Sequence, residues 1–588
     1  AINIMGLALS MSVCLLLILI VKEQYSIDKH VANGERVYRI YSQRDGMGTR
    51  FATSPIPVGS TLADEYTQVE QLGQFAQGLR VDALANEKEI FINGIFANNA
   101  LLSVMDLSLQ QGNKANALKE PYSVVLTAET ARKFFGDEKP LGKSISLKAL
   151  DPSGANSYEE CLITGVLEES EHPTHLRYEA MLSMATLPLI KGSEGLSKLP
   201  EDWQNYYAGY NYLLLKEGAR PAEVESALAE IRAKHYATDS REDFTFRLQA
   251  LHDIAPAGEN MVNQAGSVLP EMVVFFLIGL GVLVLFSAAI NYTNLSVARS
   301  LHRVREVGIR KVVGASRSQL TWQFLVESVV IALLALLIAV ALLQSLIQAF
   351  LGLDGFLSQL FSLQQDYTAY LVFVLFAVLV GVVAGMLPAV TLSRFNPVQV
   401  LRGRLSIPGR AKFSGKKVLS LLQFTFSIIF VVASIVIYQQ FKHVMSADLG
   451  LNGENVVCIP TKGNPFDQLE QAYQSLSVVE QVSASSLIPN TNTKRTSFLR
   501  TTAGTDSILV SQMNITPSYL EVMGLELLAG RNFKELVKLP EDVRQLLINE
   551  KAVEVLGLSS PAEAIGMEIK QKKQVQEVIG VVKNFRYD

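Results

Sequence analysis

At 588 residues the chain is too long for one ordinary domain, and 49% hydrophobic against 18% charged residues makes it more apolar than a typical soluble enzyme. The formal net charge of -4 averages over very unequal regions and gives no support for nucleic acid as a partner. Three cysteines, Cys14, Cys161 and Cys458, are few and widely spaced, which indicates neither a disulfide framework nor a zinc cluster.

In chain order, residues 1–21 are the first stretch long enough to cross a bilayer core, which takes about 20 apolar residues as a helix. No A-x-A-like cleavage site follows, and VKEQYSIDKH (Val21 to His30) leads straight into folded-looking sequence, so this segment reads as a retained anchor rather than a signal peptide. Residues 22–270 form a first external domain. Further spans are expected at 271–298, 322–350, 370–392 and 418–440. A basic segment at 299–321, a short loop at 351–369 and a basic linker at 393–417 separate them, and 441–588 is a second external domain.

Orientation follows from the short loops, because cytoplasmic sides collect Lys and Arg. The segment after the second span carries Arg299, Arg303, Arg305, Arg310, Lys311 and Arg317 against Glu306 as its one acid. The linker after the fourth carries Arg394, Arg402, Arg404, Arg410, Lys412, Lys416 and Lys417 and no acid. Both are placed inside. The 351–369 loop has Asp354 and Asp366 and no base, which places it and both large domains outside.

The two external regions repeat each other. LLSVMDLSLQQG (Leu101 to Gly112) matches YLEVMGLELLAG (Tyr519 to Gly530) with Val, Met, Leu, Leu and Gly in register. Downstream, VVLTAETARKFFGDEKPLGKSISL precedes LITGVLEE, as LLINEKAVEVLGLSSPAEAIGMEI precedes EVIGVVKN. Both copies predict a strand, an amphipathic helix starting near Thr127 or Asn549, a turn, and two more strands. The chain is therefore read as a duplication of a unit made of one span, an external domain and three spans. It starts at Ala1 without Met and stops at Asp588 after VIGVV, so both ends are expected to be cut and three further spans, eight in all, are expected.

Several motifs are read as decoys. PLGKS (Pro140 to Ser144) lacks the glycine a phosphate-cradling loop needs five positions before Gly142, where Asp137 stands, and is taken as a turn into a strand. EHPTH places His172 and His175 at metal-site spacing without further ligands nearby, and is taken as a loop with two solvated histidines. No catalytic constellation is visible, so the chain is expected not to be an enzyme and to hold no metal. Glu327 falls about a turn inside the third span near Gln323. It is either a gating or partner contact or a carboxylate reaching the cytoplasmic interface near Arg317.

The segment SLHRVREVGIRKVVGASRSQL (Ser300 to Leu320) is unusual for a membrane loop. Glu306 and Arg310 stand four apart, favourable for an ion pair on a helix, and Val304, Val307 and Val312 are read as one apolar stripe. A short amphipathic helix in the membrane plane is expected, closed by Gly314 in a left-handed position, with Ser316 and Gln319 as the capping box of the next span. A basic helix resting on anionic lipid accounts for the charges as well.

The stretch NYTNLSVARSLHRVREVGIRKVVGASRSQLTWQFLVES (Asn291 to Ser328) resembles the signature of the FtsX-like, MacB-like family of ABC transporter permeases. A second stretch, GMLPAVTLSRFNPVQVLRG (Gly385 to Gly403), is similar to that family's end of the fourth span, with Pro388, Pro397, Leu401 and Arg402 in the expected places. INIMGLALSMSVCLLLILIVKEQYSIDKH and the VVLTAETARKFFGDEKPLGKSISL segment look like its first span and external core domain. The resemblance implies a polytopic α-helical membrane protein of the bacterial inner membrane, with large extracytoplasmic α+β domains of the MacB core type. It implies a permease subunit of the mechanotransmission type, on which a separate, dimeric cytoplasmic ABC ATPase docks at Arg305, Glu306, Gly308, Arg310, Lys311, Gly314 and Ala315. ATP and magnesium are expected on that ATPase and none in this chain. A periplasmic adaptor or external substrate protein and membrane lipid are further expected partners. The ligand exported or extracted is an antimicrobial peptide, macrolide, lipid or lipoprotein; the alternative is an FtsX-like signalling permease that activates an external cell-wall enzyme without transport.

Overall fold

A computed structural model describes residues 2–44, 49–148, 158–169, 172–190, 194–236, 244–258, 261–266, 268–353, 355–393, 415–445, 449–461, 464–488, 496–501, 507–533, 543–571 and 574–586. They fall into two compact units, residues 1–151 with 157–433, and residues 152–156 with 434–588.

The first unit opens on α1 (Ile2–Ser26), apolar as far as Val21 and polar in its last turn. It leads into a sheet of twelve strands, β1 (Val37–Arg44), β2 (Arg50–Phe51), β3 (Val69–Ala85), β4 (Lys88–Ala97), β5 (Leu109–Gly112), β6 (Ser123–Thr127), β7 (Ser144–Lys148), β8 (Tyr158–Leu167), β9 (Ala180–Ser183), β10 (Gly209–Leu215), β11 (Phe244–Ala250) and β12 (Met261–Val262). The main path runs β12-β2-β1-β10-β3-β4-β9-β6-β8-β5, with β11 beside β1 and β7 bridging β3 and β8. Five helices cover it: α2 (Ile56–Glu65), α3 (Asn99–Val104), α4 (Ala128–Phe135), α5 (Glu194–Ser197) and α6 (Pro221–Tyr236). The strand β10, GYNYLLL, is buried at every position because it is covered on both faces. Its side chains alternate, so Tyr210, Tyr212 and Leu214 join the core of Leu101 and Leu102 from α3, while Leu213 and Leu215 join that of Leu62 from α2 and Leu228 from α6.

The second unit repeats part of this pattern. Its sheet runs β14 (Ser507–Ser511), β13 (Thr496–Thr501), β17 (Glu568–Gln571), β18 (Gln574–Val582), β15 (Leu527–Gly530), with β16 (Val543–Asn549) also on β18. In the first unit β6 is parallel to β8 while β5 and β7 are antiparallel to it; in the second β16 is parallel to β18 while β15 and β17 are antiparallel. Thr127 caps α4 by accepting from the Thr130 amide, as Asn549 accepts from that of Ala552 at the following helix. Gly112 pairs with Gly165, and Gly530 with Gly580, at φ +101° and +82°. A β-carbon on either would sit 2.4 Å from the Thr164 carbonyl oxygen or 2.3 Å from that of Ile579. PLGKS is a turn here: the Gly142 amide, at φ +81°, donates to the Ile163 carbonyl, and Gly566 does the same to Val578.

The remaining long helices are apolar. They are α7 (Glu271–Val312), α8 (Arg317–Leu351), α10 (Tyr367–Ser393) and α11 (Gly415–Met445), with the short α9 (Gly355–Leu360) between α8 and α10. With α1 they supply five helices long and apolar enough to cross a membrane. A core of Leu15, Ala332, Ala335, Ala339, Phe373 and Ala377 joins α1, α8 and α10. Of the segment expected as a separate in-plane helix at 299–321, residues 317–321 open α8 after a four-residue turn, and 299–312 are instead the end of α7, which runs unbroken for 42 residues. That is about 63 Å at 1.5 Å per residue, roughly twice a bilayer core. Between Asn291 and Arg310 no proline interrupts it and Gly308 is its one glycine, so the helix continues out of the apolar layer into water.

Two outcomes are expected from these contacts. Gly112→Ala forces a β-carbon into a backbone oxygen and should cost about 2 kcal/mol or more, whereas Gly142→Ala, with open space around it, should cost only the roughly 1 kcal/mol of left-handed strain; thermal unfolding of the full chain in detergent reads both. Asp366 caps α10 through the Ala369 amide and pairs with Lys22. Burial pushes its carboxyl up, but Lys22, the amide and Thr368 outweigh this and bring it down to about 2. The folded value is thus below the unfolded one, so the stabilisation is complete above about pH 4 and lost as pH falls towards 2. The half-exposed ion pair adds little, so Asp366→Ala should cost about 1 kcal/mol at pH 7, mostly the cap, and the gap to the unsubstituted chain should narrow between pH 4 and 2.

Candidate functional site

The turn from α7 to α8 is built from local rules. The Ala315 amide donates to the Arg310 carbonyl and the Gly314 amide to that of Lys311, the paired bonds of a Schellman ending, with Gly314 at φ +107°. Ser316 then caps α8, accepting from the Gln319 amide at 3.2 Å while the Gln319 side chain accepts from the Ser316 amide at 2.9 Å. Four residues, Val313 to Ser316, reverse the chain with their backbone groups satisfied.

Long-range contacts then hold the elbow. Arg310 donates 2.7 Å bonds to Glu306 one turn back and to Gln323 on α8, so it bolts the two helices together. Lys311 donates to the Ser393 carbonyl at 2.5 Å, at the end of α10, where a cation also meets the negative end of the helix dipole. Further in, Tyr292 on α7 donates to Ser328 on α8 at 3.1 Å, and Thr293 donates to the Ala384 carbonyl on α10 at 3.0 Å. Gly381 and Gly385 let α10 approach α8 so closely that a β-carbon would lie 2.6 Å from Val329 and 2.5 Å from Ser328. Pro388 follows within the last turns of α10.

The outward surface of the elbow is mixed. Ile309, Val312 and Val313 are exposed at 56%, 63% and 82%, and the Glu306–Arg310 pair stands about half-exposed beside them. A pair so exposed contributes at most about 0.5 kcal/mol to stability, which leaves it available to a partner. The expected stripe of Val304, Val307 and Val312 is not one face: Val307 is buried and Val312 exposed, because five residues are 140° apart on a helix. Gly308 lies in the last turns of α7 and Ala315 supplies the closing amide, while Arg305 continues the helix and its side chain is outside the described residues. Pro397, Leu401 and Arg402 also lie outside the described residues. Glu327 is half-buried ten residues along α8, deeper than expected because that helix starts at Arg317.

The opposite end of this bundle holds residues that spacing did not reveal. Glu23, at the end of α1, accepts from the Ser362 and Leu363 amides and from Arg177. His175 corrects the reading of EHPTH: it is buried, bonded to Asp28 and, at 2.7 Å, to Tyr212, while His172 is exposed and stacks on His30 at 5.2 Å between ring centroids. Among the described residues no three His, Cys, Asp or Glu side chains converge as a metal site. Asp28, His175 and Tyr212 have the connectivity of a catalytic triad, but all three are sealed from solvent, so no substrate reaches them. The signal for Glu23 was visible only as a charged residue directly after an apolar span.

Residues 1–231 and 418–587 match the MacB-like periplasmic core domain, and residues 278–397 match the FtsX-like permease C-terminal domain. The macrolide export ATP-binding/permease protein MacB 2 of Aeromonas hydrophila is 25% identical over 281 residues, 47% of this chain and 37% of that protein. The uncharacterized ABC transporter permease YknZ of Bacillus subtilis is 34% identical over 121 residues, 20% of this chain and 28% of that protein. The chain thus spans well under two thirds of either. The solved periplasmic region of MacB from Actinobacillus actinomycetemcomitans aligns at a TM-score of 0.27 and 14% identity, covering 37% of this chain and 91% of that one. With two copies of the core domain flanking an FtsX-type helical segment, the chain is a multi-pass membrane protein that belongs to the MacB-like, FtsX-like permease family.

Proposed function

We propose that the chain is the non-catalytic permease subunit of an ABC transporter of the mechanotransmission type, working with a separate ATPase in a bacterial inner membrane. The α7–α8 elbow carries this reading. It is closed by two caps, bolted by Arg310 and Lys311 to α8 and α10, and exposes Ile309, Val312 and Val313 beside a solvated ion pair. A rigid projection with an apolar tip and a charged flank suits insertion into a groove on another protein, where the apolar contacts give affinity and the charges fix register. When the ATPase closes on ATP, displacement of the elbow passes along α7 and α8 to the external domains. The MacB relative is named for macrolide export, which supports a hydrophobic or amphipathic ligand.

Charge reversal separates docking from helix stability. Glu306→Lys combined with Arg310→Glu retains an i,i+4 pair, so the chain should insert and unfold much as before, yet binding of the co-purifying ATPase should weaken by about ten-fold or more. Pull-down of tagged chain from its own membrane measures this; undiminished recovery of the ATPase sinks the assignment. An external enzyme that co-purifies while no ligand is moved turns the reading to signalling, and external proteins without an ATPase leave a receptor or scaffold. Gly314→Ala should strain the elbow by about 1–2 kcal/mol without ejecting the chain from the membrane, read as faster hydrogen exchange of the Ala315 amide that now donates to Arg310.

A further inference from the structure

Within six residues the end of α1 gathers contacts from the α9–α10 loop, the approach to α7 and the core domain. Glu23 is 6% exposed, and Gln24 and Asp28 are fully buried. The Glu23 carboxylate accepts from the Leu363 amide at 2.7 Å, from the Ser362 amide at 2.9 Å and hydroxyl at 3.2 Å, all in the loop between α9 and α10, and from Arg177 of the core domain at 3.0 Å. Leu363 holds φ +45° there, a left-handed conformation that a leucine adopts only when its surroundings require it. Gln24 accepts from the Leu269 amide at 2.9 Å, two residues before α7 begins.

Asp28 continues the series into the core domain. It accepts from Thr174 at 2.7 Å and from the His175 ring, and its own amide donates to the Pro173 carbonyl. The far nitrogen of His175 meets the Tyr212 hydroxyl on β10, and Tyr212 stands opposite Arg39 of β1 in the strand register. Arg39 is fully buried and donates on to Gln249 and, at 3.2 Å, to Gln264, seven residues before α7. Apolar residues would pack such a core at less desolvation cost, so this polar path needs a reason beyond stability.

We propose that residues 23–28 are the joint through which movement of the helices reaches the first core domain, with Glu23 as its positioning residue. This rests on the mechanotransmission reading above. The elbow begins α8; α8 is followed by α9 and the α9–α10 loop; and Glu23 ties that loop to α1 and, through Arg177, to the domain. Four donors around one buried carboxylate transmit displacement stiffly, because releasing any of them leaves a buried charge short of a hydrogen bond that no water replaces at once.

The test is hydrogen exchange on the full chain with its co-purified ATPase in lipid nanodiscs, with and without ATP. Glu23→Gln puts an NH2 group among donors. Exchange at Ser362 and Leu363 should rise about ten-fold or more while β10 stays protected, and the ATP-dependent change within the core domain should vanish although ATP hydrolysis persists. Arg177→Met is the second variant: the loop amides should stay protected and the domain's ATP response should still be lost. Retention of that response in both variants overturns the joint, as does equal loss of protection across β10, which marks a folding role alone. An ATP response absent already from the unsubstituted complex overturns the coupling reading instead.

Discussion

The close approach of α10 to α8 at Gly381 and Gly385 is the contact on which the rest of the helical bundle depends. Helices in hydrocarbon gain nothing from burying apolar surface against each other, so they associate where small residues let backbones meet and where polar groups find partners. Both occur here within one turn. The glycines admit α8 at Val329 and Ser328, and Ser328 is then in reach of Tyr292 on α7. With the three helices at this spacing the end of α10 lies beside Lys311, and the elbow acquires its third anchor. A side chain at Gly385 would separate α8 from α10 and detach the elbow from the bundle without touching it.

A helix that passes through the membrane and keeps going is a lever. α7 carries its hydrogen bonds inside itself, so neither the apolar layer nor the water beyond interrupts them. The consequence is mechanical: the elbow is the end of a spanning helix rather than a loop tethered to one. At the other end Arg177 of the core domain is bonded to Glu23 of α1, Gln24 of α1 accepts from the Leu269 amide ahead of α7, and the domain's strand β10 is enclosed on both faces. Elbow and domain are therefore joined by elements that resist bending, as the proposed transmission of displacement requires.

The duplication shows which features the core domain cannot vary. The two copies differ in most residues but keep a glycine pair where β5 crosses β8 and β15 crosses β18, because no side chain fits against the neighbouring carbonyl. They also keep a side-chain cap at the following helix, as threonine in one and asparagine in the other, since either oxygen accepts from the same amide. What recurs is backbone geometry.

Much of this was legible from residue order, for a physical reason. Spans, their orientation, the duplication, the Glu306–Arg310 pair, the Gly314 ending and the Ser316–Gln319 box all depend on periodicity, local charge or partners within about two turns, and these the sequence by itself determined. The continuity of α7 is not legible in residue order, because a change in polarity looks the same whether or not the helix turns, and nothing in the backbone requires a break. Tertiary structure alone decided the rest. Lys311 meets Ser393 across 82 residues and Glu23 meets Ser362 across 339. His175 is buried rather than solvated because Asp28, 147 residues away, and Tyr212, 37 residues away, close over it. No local pattern encodes such pairs, since a buried polar group is satisfied by whichever donor the packed fold delivers, and packing is settled only when all the elements are in place.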